Sequence, residues 1–320
     1  MRLVHIDFCK VFAMFLVTMA HCAQQLSGET FPPLLVSKDA FISFNMAVFM
    51  TASGFVMNVD KMKNSSVADY LCSKTIRLLL PMTTWFLIFC IASNQFDIKQ
   101  YWTCYWYLSA MFVCLTTICI LTRFVSQTWA ICIWSVLILS LLPFLIFERS
   151  CYMIPFLWIG YSLRKIILRV GLGSIIWLAI LYAILYYFWK VSYSIYMTPF
   201  HIWEVDGYML FAYAYRLIIG AIGSILFISL SYYLVSHRGS SWIDKISKYG
   251  KYTLVFYTMS FVLNAFLRRV MWHIGIYINT PGVLDLIAII VAFAMMTLMF
   301  LFQKNVERSK IFRLLLLGER

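Results

Sequence analysis

The chain has 320 residues, 63% of them hydrophobic and only 12% charged, with a net charge of +13. Soluble domains carry roughly 25% charged residues, so this composition describes a polytopic membrane protein with little room for a soluble domain. The basic surplus points to membrane topology rather than nucleic acid, because cytoplasmic loops collect Lys and Arg.

Apolar runs of about 20 residues each match a hydrocarbon core of about 30 Å. Ten are read along the chain: 7–26, 40–58, 72–93, 105–124, 128–147, 150–163, 172–190, 208–235, 252–270 and 282–303. The first runs into polar loop without a small-residue cleavage pattern and reads as a retained signal anchor. The sixth is short and contains Pro155, which predicts a broken or tilted segment. With the N-terminus inside, 19 Lys and Arg fall on the cytoplasmic side and 6 outside, with Arg216 left in the membrane. That asymmetry predicts an all-α bundle of about ten transmembrane helices with both termini cytoplasmic. There is no internal repeat or linker, so residues 1–320 read as one domain.

Within the first segment, Asp7, Lys10 and His21 interrupt DFCKVFAMFLVTMAHCAQQ. At about 100° per residue Lys10 and His21 point within about 20° of each other, and Asp7 lies about 40° from His21. Asp7 and Lys10, one turn apart, can pair. Ionisable groups in a membrane helix face a protein interior or a wet cavity, so this stripe is expected to face inward. In the predicted topology His21 lies in the outer half of the membrane. The nine cysteines include no CxxC pair and read as small buried apolar residues. No metal site, P-loop or GxGxxG pattern is present. Further on, Asn45 reads as a polar bridge between helices. His201, Glu204 and Asp206 read as a solvated outer loop. His5, His237 and His273 receive no role, and the triplet Asn64-Ser65-Ser66 is expected on the cytoplasmic side, unglycosylated.

The first segment, with Arg2, Ile6-Asp7, Lys10 and His21, resembles the first helix of the acyltransferase 3 family of integral-membrane O-acyltransferases. FMTASGFVMNVDK is similar to that family's Ser-Gly-Phe stretch, here Ser53, Gly54 and Phe55, followed by Lys61. SKTIRLLLP is similar to its Arg-x-x-Arg motif, with Lys74, Arg77 and Pro81; Lys stands where the family usually has the first Arg. Weaker similarities lie in YWYLSAMF (Tyr105–Phe112), YMIPFLWIGYSLRK (Tyr152–Lys165) and ISKYGKYTLVFY (Ile246–Tyr257). The resemblance covers nearly the whole chain and is to the stand-alone kind, without an extracytoplasmic hydrolase-like domain. It implies a multi-pass protein, expected in the bacterial inner membrane. It also implies an acyl-CoA co-substrate, acetyl-CoA above all, rather than a permanently bound cofactor, and a glycan or lipid-linked sugar acceptor. Membrane lipids are the other expected partner; nucleic acid is not, and a homo-oligomer stays open.

Acyl transfer from a thioester to an alcohol needs the alcohol deprotonated as it attacks. His21 is the candidate general base, an acyl-imidazole remaining an alternative, and Asp7 is grouped with it as catalytic. Lys10, Lys61, Lys74 and Arg77 are candidates for the CoA phosphates; Lys61 reads equally as a topology residue at lipid headgroups, and Lys63 reads as one in preference. Arg216 is a candidate for binding an acidic or phosphorylated acceptor or for stabilising developing negative charge, against snorkelling to the outer interface beside Tyr213 and Tyr215. Ser53 is grouped with it as substrate-binding. A secondary transporter of an anionic solute is the rival reading, which the Asp7–Lys10 pair and Arg216 also suit; the missing repeat speaks against it.

Overall fold

The computed structural model describes residues 3–29, 38–93, 96–142, 144–167, 170–198, 203, 205–238 and 241–319. Among these there is no strand. Each of the ten apolar segments forms a helix: α1 Val4–Ser27, α2 Lys38–Phe55, α3 Val67–Ser93, α4 Trp106–Leu121, α5 Thr128–Ser140, α6 Leu145–Ile167, α7 Leu172–Tyr187, α8 Gly207–Arg238, α9 Thr253–Ile274 and α10 Val283–Val306. By length and hydropathy, five runs suffice to cross a membrane: α1, α3, α8, α10 and Ser241–Ile274, which contains α9. A sixth follows if Ile98–Cys104 and α4, bent by 74° at their junction, count as one span. The helices α5 and α7, with 13 and 16 residues, are apolar but shorter. The protein is thus an integral-membrane helix bundle.

The expectation for the sixth segment needs correcting. It is neither short nor broken: α6 runs for 23 residues straight through Pro155. Its start at Leu145 takes Glu148 and Arg149 into the helix, where the sequence reading had left them in a loop.

The bundle is organised around α1. Its most apolar stretch is 72% buried, against 33% for α10 and 39% for α8, because it packs against α2, α8, α9 and α10 at once. It ends at Gly28, whose φ of 74° lets its N–H close on Gln24 O. The Ile278 N–H then bonds to Leu26 O at 3.0 Å, tying the α9–α10 connection to the same end.

Two close approaches explain residues that the motifs contain. Helices α2 and α6 touch backbone to backbone, since a Cβ on Gly54 would collide with the Leu157 carbonyl and one on Gly160 with that of Thr51. Small residues at such contacts let membrane helices gain dispersion that larger ones forfeit. Gly250, in the short 3₁₀ segment Lys248–Tyr252, lies directly on Asp7, where any side chain would strike the Asp7 backbone.

Candidate active site

Two separate cavities lie along α1, and they share no lining residue. The larger, ≈ 470 Å³, opens between α2, α3, α4 and the start of α9. Its wall carries Lys10, Ser53, Lys61, Lys74 and Arg77, all five grouped by sequence as ligand-binding. Local structure explains how the cations converge. Asn58 caps the helix Val59–Asn64, accepting from the Lys61 N–H at 2.8 Å. Arg123, at the end of α4, donates to the carbonyls of Met62, Lys63 and Ser65 and fastens that helix in place. Lys63 itself does not line the cavity. Within α3, Thr75–Leu79 form a π-turn; such widened turns concentrate at functional sites. Lys74 and Arg77 flank and occupy that turn, with the Lys74 ammonium 5.1 Å over the Tyr70 ring.

The positive charges feel one another. Lys10 lies within electrostatic reach of Asp7 and Arg77, and Lys74 within reach of Arg77 and Lys61. Like charges gathered around one opening repel, and an anion relieves that cost. Asp69 is the one carboxylate on the described wall.

The smaller cavity, ≈ 250 Å³, contains His21 on its wall, together with Gln24, Asn45, Trp106, Arg149, Tyr196, Tyr257 and Phe261 among others. His21 Nδ1 and Gln24 Oε1 are 2.8 Å apart. A carboxamide oxygen only accepts, so in this contact Nδ1 is the donor. The imidazole also lies 5.7 Å from the Phe261 ring. Asn45, read from sequence as a bridge, is on this wall too, its Oδ1 accepting from the Met46 N–H.

Asp7 lines neither cavity. Fourteen residues from His21, it lies about 21 Å away along the axis. Gln24, within hydrogen-bond distance of the imidazole, is a residue the sequence reading missed. The signal was there: His21 and Gln24 stand at i,i+3 on one face. Arg149 was missed for a different reason, having been placed in a loop.

An aromatic layer separates the cavities. Phe49 and Tyr107 face the basic one, Tyr257 and Phe261 the histidine one. Ring centroids run Phe49–Tyr107 5.9 Å, Tyr107–Tyr257 5.7 Å and Tyr257–Phe261 5.3 Å. Tyr257 Oη donates to Cys104 O at 3.0 Å, which pins one side of the layer.

Arg216 is buried at 2% exposure and does not snorkel. Its Nη1 donates to Thr198 O at 2.9 Å and Tyr193 O at 3.4 Å, and its guanidinium lies 4.7 Å over Tyr152. It borders a small void, ≈ 10 Å³, next to the histidine cavity, and ties the segment after α7 to α6 and α8. Asp206 caps α8, accepting from the Met209 N–H at 2.6 Å. Arg2, His201 and Glu204 lie outside the described residues.

Comparison with protein-family models decides what this arrangement belongs to: the model described as an acyltransferase domain matches residues 3–302. The chain belongs to the acyltransferase 3 family. Neither the curated proteins nor the solved structures contain a match. Family membership makes this chain a membrane acyltransferase, and the match runs from the start of α1 into α10.

Proposed function

We propose that this acyltransferase moves an acyl group, acetyl in the simplest case, from acyl-CoA to a hydroxyl of a cell-surface or lipid-linked sugar. The observation that carries the proposal is the convergence of Lys10, Lys61, Lys74 and Arg77 on one cavity, with His21 on a second cavity further along the same helix. CoA brings several phosphate charges. Arg and Lys bind phosphate through charge-assisted bonds, Arg by a planar fork and Lys as a point charge.

In this reading the nucleotide occupies the basic cavity and the pantetheine arm reaches past Tyr107 and Tyr257. The acceptor hydroxyl sits at His21. Nε2 takes the hydroxyl proton as the oxygen attacks the thioester carbonyl carbon. The C–S bond then breaks, CoA leaves as thiolate, and the imidazolium returns the proton to it. Gln24 fixes the tautomer that makes Nε2 the base. Asp7 acts at a distance, as the counter-charge that keeps Lys10 in place. Ser53 lines the donor cavity and so serves the donor rather than the sugar.

The same reading assigns ten spans with both termini in the cytoplasm of a bacterial inner membrane. Donor and acceptor then enter from opposite faces. The test is mass spectrometry of surface and lipid-linked glycans from cells with the protein, without it, and with His21→Ala. Acetyl groups present only with the wild-type protein are the expected result. Full acetylation by an inserted, CoA-binding His21→Ala variant would remove the base. Anionic solute uptake into proteoliposomes in the absence of CoA would favour a transporter instead.

A further inference from the structure

Arg149 is the one cation on the described wall of the histidine cavity, and the chemistry above leaves it without a task. Its guanidinium stacks 5.1 Å from the Trp106 ring. Its Nε and Nη1 are shielded from solvent and have no hydrogen-bond partner among the described residues. No described residue lining that cavity is acidic. Glu148 precedes it in α6 and attracts it, but is buried with interactions of its own and does not line the cavity.

Arg216 shows the contrast. That guanidinium spends Nη1 on two carbonyls and lies 4.7 and 5.4 Å from the Tyr152 and Tyr213 rings, with only its Nε buried and unpartnered among the described residues. Among the described residues Arg149 has one ring and no carbonyl. Guanidinium donors shielded from water and left unused are costly unless something negative completes them. Nothing described in the protein does so at those atoms, and the cavity beside it is the one that holds His21.

We propose that Arg149 selects acceptors carrying an oxyanion, and holds that group so that a neighbouring hydroxyl lies at His21. The inference rests on the histidine cavity being the acceptor site. The shared chemistry is a singly bonded oxyanion, either the carboxylate of an acidic sugar or a sugar phosphate ester. Guanidinium donors recognise both, and a neutral hexose offers neither.

The experiment reads binding without the donor, so it stands apart from acyl transfer. Purified protein in lipid nanodiscs is melted with glucuronate, glucose 1-phosphate or glucose at matched ionic strength. The wild type is expected to be stabilised by at least one anion and not by glucose. Arg149→Gln is expected to weaken that affinity tenfold or more, and Arg149→Lys to keep part of it. Stabilisation of each variant by CoA, bound in the other cavity, reports that it is folded. A shift with glucuronate alone identifies an acidic sugar, and one with glucose 1-phosphate alone a phosphate ester. Equal shifts in wild type and Arg149→Gln, equal shifts with glucose, or no shift with either anion would overturn the proposal. In those cases acetyl transfer from acetyl-CoA still tests the acyltransferase reading separately. Anion binding with no acetyl transfer would fail that reading and leave the anion site standing.

Discussion

The two cavities along α1 are made of opposite materials. The basic one gathers Lys10, Lys61, Lys74 and Arg77 from three helices, with Arg77 and Lys61 exposed. The histidine one is largely aromatic and apolar, and its two ionisable groups of interest, His21 and Arg149, are each half-buried. The difference teaches two ways of carrying charge. On the basic wall the exposed cations Arg77 and Lys61 can crowd because water screens them until a ligand arrives. On the histidine wall the ionisable groups stand singly, His21 beside Gln24 and Arg149 against the face of Trp106. One cavity thus gathers net positive charge, and the other sets one imidazole and one guanidinium among aromatic and apolar side chains.

Breaking the histidine cavity should have the largest effect. In the proposed mechanism His21→Ala removes the general base, whose catalysis is worth typically about 10²–10⁴-fold, and kcat for acetyl transfer should fall by that order. CoA binding, measured by calorimetry, should stay intact; a parallel loss of CoA binding would merge the two cavities into one functional unit. On the basic side, Arg77→Ala should act in the complementary way. Hydrogen bonds to charged groups contribute about 1.5–3 kcal/mol, so the KM for acyl-CoA should rise by roughly 10- to 100-fold with kcat little changed. Raising the salt concentration should narrow the difference between variant and wild type, because exposed charges are screened.

Gln24→Leu sharpens the comparison. It leaves the imidazole present but frees its tautomer, and about tenfold in kcat is expected from losing one orienting bond of about 1 kcal/mol or more. The pH–rate profile should shift as well, which a purely structural role for Gln24 would not produce. Lys61→Ala should do least. Exposed ion pairs contribute about 0–1 kcal/mol, so the KM for acyl-CoA should change by less than about fivefold. A large effect there would make Lys61 a direct phosphate ligand rather than part of the surrounding field.

Much of the basic cavity was legible in the chain. Lys74 and Arg77 stand three apart before Pro81, and Lys61 follows Ser53-Gly54-Phe55; each of these local patterns falls on the wall of one opening. The histidine cavity was legible only as His21 itself. Its other walls come from α2, α4, α6, α9 and the segment after α7, which lie up to about 240 residues away along the chain. No spacing rule connects such positions. Grouping Asp7 with His21 as one catalytic unit followed from the shared stripe, and the axial separation of about 21 Å is what divides them.

The sequence by itself determined that the chain is a helical membrane protein, that α1 carries an inward-facing ionisable stripe, and which cations could collect phosphate. These follow from composition and from the 3.6-residue period, both of which are local properties of the chain. Only the tertiary structure decided that the stripe opens into two cavities rather than one, that Gln24 lies 2.8 Å from the imidazole, and that Arg149 lines the histidine cavity while Arg216 spends Nη1 on backbone carbonyls outside it. Those outcomes depend on what packs opposite each face. A helical period states which way a side chain points; only the packed neighbours decide what it meets there.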